Sequence, residues 1–163
     1  FQSIMAYALD GFAHAVEALA GGFLGAKNRL GFRQSVKTSS LWAIVFAIFF
    51  SLIYALFGGL LVDMMTDIDD IRALAREFMP WMILTPLLSV WSFQLDGIFI
   101  GATRTADMRN AMVFSLIIFV GALVLLVPGF GNHGLWAAFT ILMIARAITL
   151  GLYYPALERS VEP

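Results

Sequence analysis

The sequence predicts an all-α protein built as a bundle of transmembrane helices. Three observations carry this. Of 163 residues, 61% are hydrophobic and only 13% are charged, where soluble domains sit nearer 45–50% and about 25%. The hydrophobic residues fall into five runs long enough to cross a bilayer as helices. The charged residues collect between those runs and change sign from one connection to the next.

The runs lie at approximately 1–25, 40–62, 78–102, 111–128 and 134–154. No soluble insertion or low-complexity segment separates them, so residues 1–163 read as a single transmembrane domain. With no cysteine in the chain, disulfides and thiolate metal sites are excluded. The beginning, FQSIMAYALD, has no initiator Met and no basic n-region. It starts inside a helical pattern and reads as part of a longer protein rather than as a signal peptide.

The connections set a direction. Residues 26–38 carry Lys27, Arg29, Arg33 and Lys37 with no acid. Residues 63–77 carry five acids against Arg72 and Arg76. Arg104 and Arg109 fall in 103–110, and Arg159 in the C-terminal tail. Seven of the ten basic residues thus lie on one side and two on the other, with Arg146 inside the last run. The positive-inside rule places 26–38, 103–110 and the C-terminus in the cytoplasm. The first run then begins outside, which implies an earlier span to carry it there.

Individual runs carry further signals. Residues 67–77 predict an amphipathic helical start at the outer interface, with Asp67 or Asp69 as its cap. Pro80 and Pro86 predict a bend in the third run, tolerable where neighbours re-satisfy the freed carbonyls. The neutral GFGNHG segment predicts a tight outer turn between the fourth and fifth runs. The second and fourth runs have no ionisable side chain and read as lipid-facing or packing helices.

In the first run, Ser3, Ala6, Asp10, His14, Glu17 and Gly21 share one helical face. A mid-span charge costs about 3 kcal/mol of insertion free energy, and each Leu, Ile, Phe or Val returns about 0.3–0.6. The run holds eight such residues, worth roughly 2–5 kcal/mol, against roughly 5–7 for Asp10 and Glu17 together. This stripe must therefore face other helices or a wet cavity. Small residues along it favour close packing, with Gly21-x-x-x-Gly25 extending the contact. In the third run Ser89, Ser92, Asp96 and Thr103 share one face, with Thr85 nearby at the proline bend, and Gln94 points elsewhere. Ser92, one turn before Asp96, can donate a hydrogen bond to it. In the fifth run Arg146 can pair with any one of Asp10, Glu17 and Asp96, or snorkel to the inner interface. His14 reads as a hydrogen-bonded packing residue or as part of the stripe. Three acids against one base leave carboxylates free to titrate or to bind a cation.

Other chemistries find no support. HExxH, GxSxG, Walker-type loops and paired-His spacings are all missing, so neither an enzyme nor a resident metal is expected. No basic–aromatic surface points to nucleic acid.

Three segments, AYALDGFAHAVEALAGGFLGAKNR, PWMILTPLLSVWSFQLDGIFIGATRTADMRNAM and GNHGLWAAFTILMIARAITL, together resemble the second half of a DinF-type member of the MATE (multidrug and toxic compound extrusion) family. The LDGxFIGATRxxxMRN block is the specific part. The resemblance implies a twelve-helix antiporter of a bacterial inner membrane, with two six-helix lobes around a central cavity. Organic cations or drugs would leave as protons or sodium ions enter, with no cofactor. The five runs would be helices eight to twelve, and the partners would be the missing N-terminal lobe, membrane lipid and the cationic substrate. Asp96 then falls in the family's tenth helix, where a sodium ion could bind near it. Asp10, His14 and Glu17 fall in a cavity-lining helix. Two other classes remain: a flippase of lipid-linked sugars, and a structural membrane subunit with its acids fully paired.

Overall fold

A computed structural model describes residues 1–161, leaving Glu162 and Pro163 of the 1–163 domain outside the described residues. Four helices follow one another: α1 (Gln2–Gly25), α2 (Arg29–Met65), α3 (Asp69–Gly101) and α4 (Thr105–Ser160). No strand occurs among the described residues. Apolar composition and short connections make this an all-α bundle of antiparallel neighbours.

The connections are shorter than hydropathy suggests. Residues 29–38, expected in a loop, are the first turns of α2, and Asn28 caps them by accepting the Gly31 N–H at 2.9 Å. The acidic 63–77 segment is likewise nearly all helix, broken only at 66–68. Its cap is Ile68 rather than Asp67 or Asp69, although Asp69 and Asp70 occupy the first turn of α3, where their charge suits the helix dipole. Arg72 and Arg76 fold back onto Asp63, and Arg72 also meets Asp67 and Asp69. At the other end, α1 and α3 finish alike. Lys27 and Thr103 adopt φ of 54° and 57°. Their N–H groups bond Leu24 and Ile100, and the next N–H groups bond Phe23 and Phe99. This is the Schellman arrangement, usually closed by glycine. It also takes Thr103 off the helical face on which periodicity had put it.

The helix α4 is 56 residues long. Straight, it would measure about 84 Å, nearly three times the hydrocarbon thickness of roughly 30 Å. It is not straight. Gly131 has φ 55° and ψ −129°, outside helical geometry, in a region open to glycine alone. A β-carbon on Gly134 would strike the backbone of Leu126, eight residues earlier, so the chain folds back on itself here. The turn expected at 128–133 is thus a kink joining two arms.

Three helices are long and apolar enough to cross a membrane: Arg29–Met65, Asp69–Gly101 and Thr105–Arg159. With the last folded in two, they contain four of the five expected runs. The helix α1 is not among them, because Asp10, His14 and Glu17 lower its hydropathy. It packs instead within the bundle, burying Met5, Leu9, Ala13, Val16 and Ala20 against α2 and α3.

Pro80 and Pro86 both lie inside α3, which remains one helix from Asp69 to Gly101. Hydroxyls attend to the carbonyls around Pro86. Ser51 of α2 donates to Ile83 O at 2.7 Å, Thr85 to Trp81 O at 2.6 Å, and Ser89 to Thr85 O at 2.6 Å. In the first half of α3, the Trp81 indole N–H donates to His133 Nδ1 at 3.0 Å. The opposite ring nitrogen of His133 then carries the proton toward Glu77 Oε1, 3.1 Å away. This bridge ties the α4 turn to α3.

Candidate functional site

The site starts from glycine. A β-carbon on Gly97 would land on the backbone of Ala13, and one on Gly101 on the backbone of Glu17. A β-carbon on Gly21 would lie 2.8 Å from Gly101 O. Rising residue numbers match on both sides, so α1 and α3 run parallel with their backbones touching. Such close approach needs small residues at four-residue spacing. The motif that supplies them is Gly97-x-x-x-Gly101. Of the expected Gly21-x-x-x-Gly25 pair, Gly21 takes part and Gly25 faces open space.

This contact brings Asp96, the residue before Gly97, into the electrostatic field of Asp10. From the second arm of α4, Arg146 Nη2 reaches Asp96 Oδ2 at 2.8 Å. Both side chains are largely buried, Asp96 at 18% and Arg146 at 23% exposure. Of the three acids open to Arg146 on sequence grounds, the geometry selects Asp96, and the arginine spends its charge there rather than snorkelling. Asp96 Oδ1 is buried with no hydrogen-bond partner. The pair uses only half of the carboxylate.

The rest of the stripe is open. Asp10 is half-buried and has no hydrogen bond or ion pair among the described residues. Glu17, at 34% exposure, meets only His14, with Oε2 3.2 Å from Nδ1. His14 shares that hydrogen bond with Glu17 and is otherwise largely open, at 77% exposure. Ser92 is buried at 1% exposure and does not bond Asp96. Side chains four apart on a helix stand about 5–6 Å apart at Cβ; a serine hydroxyl is too short to close that gap, whereas Arg146 arrives from a facing helix. Asp96 and Arg146 form a charged pair between α3 and α4, Asp10 on α1 lies near enough to act on Asp96 through its charge, and His14 and Glu17 continue the ionisable stripe along the exposed side of α1. Two carboxylates near a single guanidinium can exchange it, hold a proton between them, or attract a cation.

A polar seam between α2 and α3 escaped the sequence reading. Gln94, 1% exposed, accepts from Ser39 at 3.3 Å, and the same hydroxyl lies 3.4 Å from Phe12 O. The Gln94 amide nitrogen and the Ser40 hydroxyl are buried without partners. The signal was present in the sequence: Ser35, Ser39, Ala43, Ala47 and Ser51 repeat every four residues, and all five are buried. Among the described residues, no three His, Asp or Glu side chains gather as a metal site.

A bundle of this kind, multi-pass and with ionisable groups buried between its helices, is a membrane protein of the transporter class. The chain belongs to the MatE family, whose model matches residues 1–125; this is a family of transporters, not enzymes, and it needs no cofactor as such. Over 145 residues, 89% of the chain, it is 38% identical to DNA damage-inducible protein F of Escherichia coli (strain K12). The match takes in 31% of that protein, so the chain spans less than a third of its length. No solved structure matches the chain.

Proposed function

We propose that the chain forms most of one lobe of a secondary active efflux transporter. In this reading the transporter antiports organic cations or drugs against protons or sodium ions across a bacterial inner membrane. The carrying observation is the Asp96–Arg146 ion pair between α3 and α4, with the carboxylate of Asp10 on α1, unpaired among the described residues, acting on Asp96 through its charge. When a cation or proton neutralises Asp10 or Asp96, Arg146 gains or loses its partner, and the second arm of α4 shifts relative to α3 and α1. Such a charge-dependent preference between two packings is what alternating access requires. The exposed stripe of His14 and Glu17 would face the central cavity, closed by the lobe that the resemblance adds.

Asp96→Asn in the full-length protein tests this, because it keeps size and hydrogen bonding but removes titration. We expect near-normal expression, with efflux of a fluorescent organic cation reduced and its pH or sodium dependence changed. Wild-type pumping across pH and sodium concentration would refute a coupling role. Two other readings, a lipid-linked sugar flippase and a structural subunit, predict no cation flux at all. A flippase would want a more cationic cavity, and here the one intramembrane base is already engaged by Asp96.

A further inference from the structure

A cavity of about 920 Å³ lies between α2, α3 and the second arm of α4, and neither Asp96 nor Arg146 is part of its wall. Leu88, Trp91, Leu95, Ile144 and Ile148 dominate its wall. Water gains little in such a space, and an alkyl chain fits its chemistry. Besides Trp91 and Tyr154, two residues of α2 bring polar groups to the wall. Lys37 stands about two turns into α2, three residues before the apolar run at 40–62, and Ser40 sits nearly one turn deeper. Lys37 has no ion-pair partner among the described residues. Ser40 is 6% exposed, and its hydroxyl is unpartnered. Basic charge is in excess at this end. Arg29 and Arg33, on the same face of α2 as Lys37, both converge on one carboxylate, Glu158.

We propose that this cavity binds an anionic phospholipid of the surrounding bilayer. An acyl chain fills the apolar wall, the phosphate sits at Lys37 with Arg33 one turn away, and the Ser40 hydroxyl, buried and unpartnered as it stands, turns to donate to a glycerol-ester carbonyl. The depths agree. A lysine just outside the hydrocarbon region meets headgroups, and a hydroxyl one turn inside meets the ester level. Basic pockets between helices at the cytoplasmic face are suited to anionic headgroups. A helix from another part of the transporter fits less well. Its backbone carbonyls could accept from Ser40, as Ile83 O accepts from Ser51, but an apolar helix brings no negative charge to Lys37.

The test uses the delipidated full-length protein, titrated with phosphatidylglycerol or with phosphatidylcholine of the same chains and read by native mass spectrometry. We expect phosphatidylglycerol to be retained preferentially, and Lys37→Gln to lower that preference about fivefold, the contribution of one interfacial lysine. Equal retention of the two lipids, or an unchanged preference in Lys37→Gln, would overturn the proposal. A photo-reactive side chain at Ile148 supplies a second readout in the wild-type background. A phospholipid adduct supports the site, whereas an adduct to a peptide of the same protein shows that a helix fills it. None of these measurements depends on transport, so failure here leaves the antiport reading standing.

Discussion

The two Leu-Asp-Gly tripeptides make a matched experiment. Gly11 and Gly97 both sit inside helices, each directly after an aspartate. Around Gly11 an added β-carbon meets nothing within 4 Å, whereas at Gly97 it falls on the Ala13 backbone. Gly11→Ala should therefore stabilise, because alanine narrows the unfolded ensemble at no steric cost, by about 0.4–1 kcal/mol. Gly97→Ala meets backbone rather than a flexible side chain, and overpacking of that kind costs about 1–3 kcal/mol. The two variants should thus differ by roughly 1.4–4 kcal/mol and in opposite directions. Midpoints of thermal or denaturant unfolding in detergent, compared with wild type, give the measurement. Gly97→Ala must also push α1 away from α3 and weaken the electrostatic influence of Asp10 on Asp96, so efflux should fall with stability, while Gly11→Ala should transport normally. Equal midpoints for the two variants would refute the backbone contact, and with it the geometry of the charged centre.

Two more outcomes follow from the same structure. Gly131→Ala should destabilise by about 1–3 kcal/mol, the strain of a side chain at φ 55°, while Gly129→Ala, where a β-carbon meets open space, should be neutral or better by the same unfolding measurement. For topology, Gln34 and Asp67 are both exposed, whereas Ser35 is buried. Single cysteines at 34 and 67 in the full-length protein, treated with an impermeant thiol reagent on intact cells, should label at 67 and not at 34; the reverse pattern would invert the orientation.

Fold class and the helical segments were legible because hydropathy reports what must leave water. Their ends were not, because hydropathy marks the segment that suits oil and not the helix itself. The α2 helix continues through Arg29, Arg33 and Lys37 since those side chains are good helix formers and their charges reach water beyond the bilayer. The turn at Gly131 was legible as a glycine-rich break, but its folding of α4 onto itself emerges only from Gly134 lying against Leu126. Of the site, Asp10, Glu17, Asp96 and Arg146 could be picked from sequence because an ionisable group in an apolar run is expensive. Their pairing could not. Whether Arg146 meets Asp10, Glu17 or Asp96 depends on the register of α4 against α1 and α3, which no local pattern encodes.

Register is also what separates the two aspartates. Each precedes a glycine, and each stands in a helix that would be more stable in oil without it. The Gly97 backbone is pressed against α1, and that contact holds Asp96 at the three-helix junction, where Arg146 can reach one oxygen and leave the other unpartnered. Gly11 makes no such contact, so Asp10 keeps a half-open position with no hydrogen bond or ion pair of its own. A fully paired structural centre would engage both oxygens of Asp96 and give Asp10 a base. A centre with one engaged oxygen, one bare one and a second carboxylate close by retains capacity for another positive charge. That asymmetry is the physical reason for reading it as a place where charge comes and goes rather than as a rivet between helices.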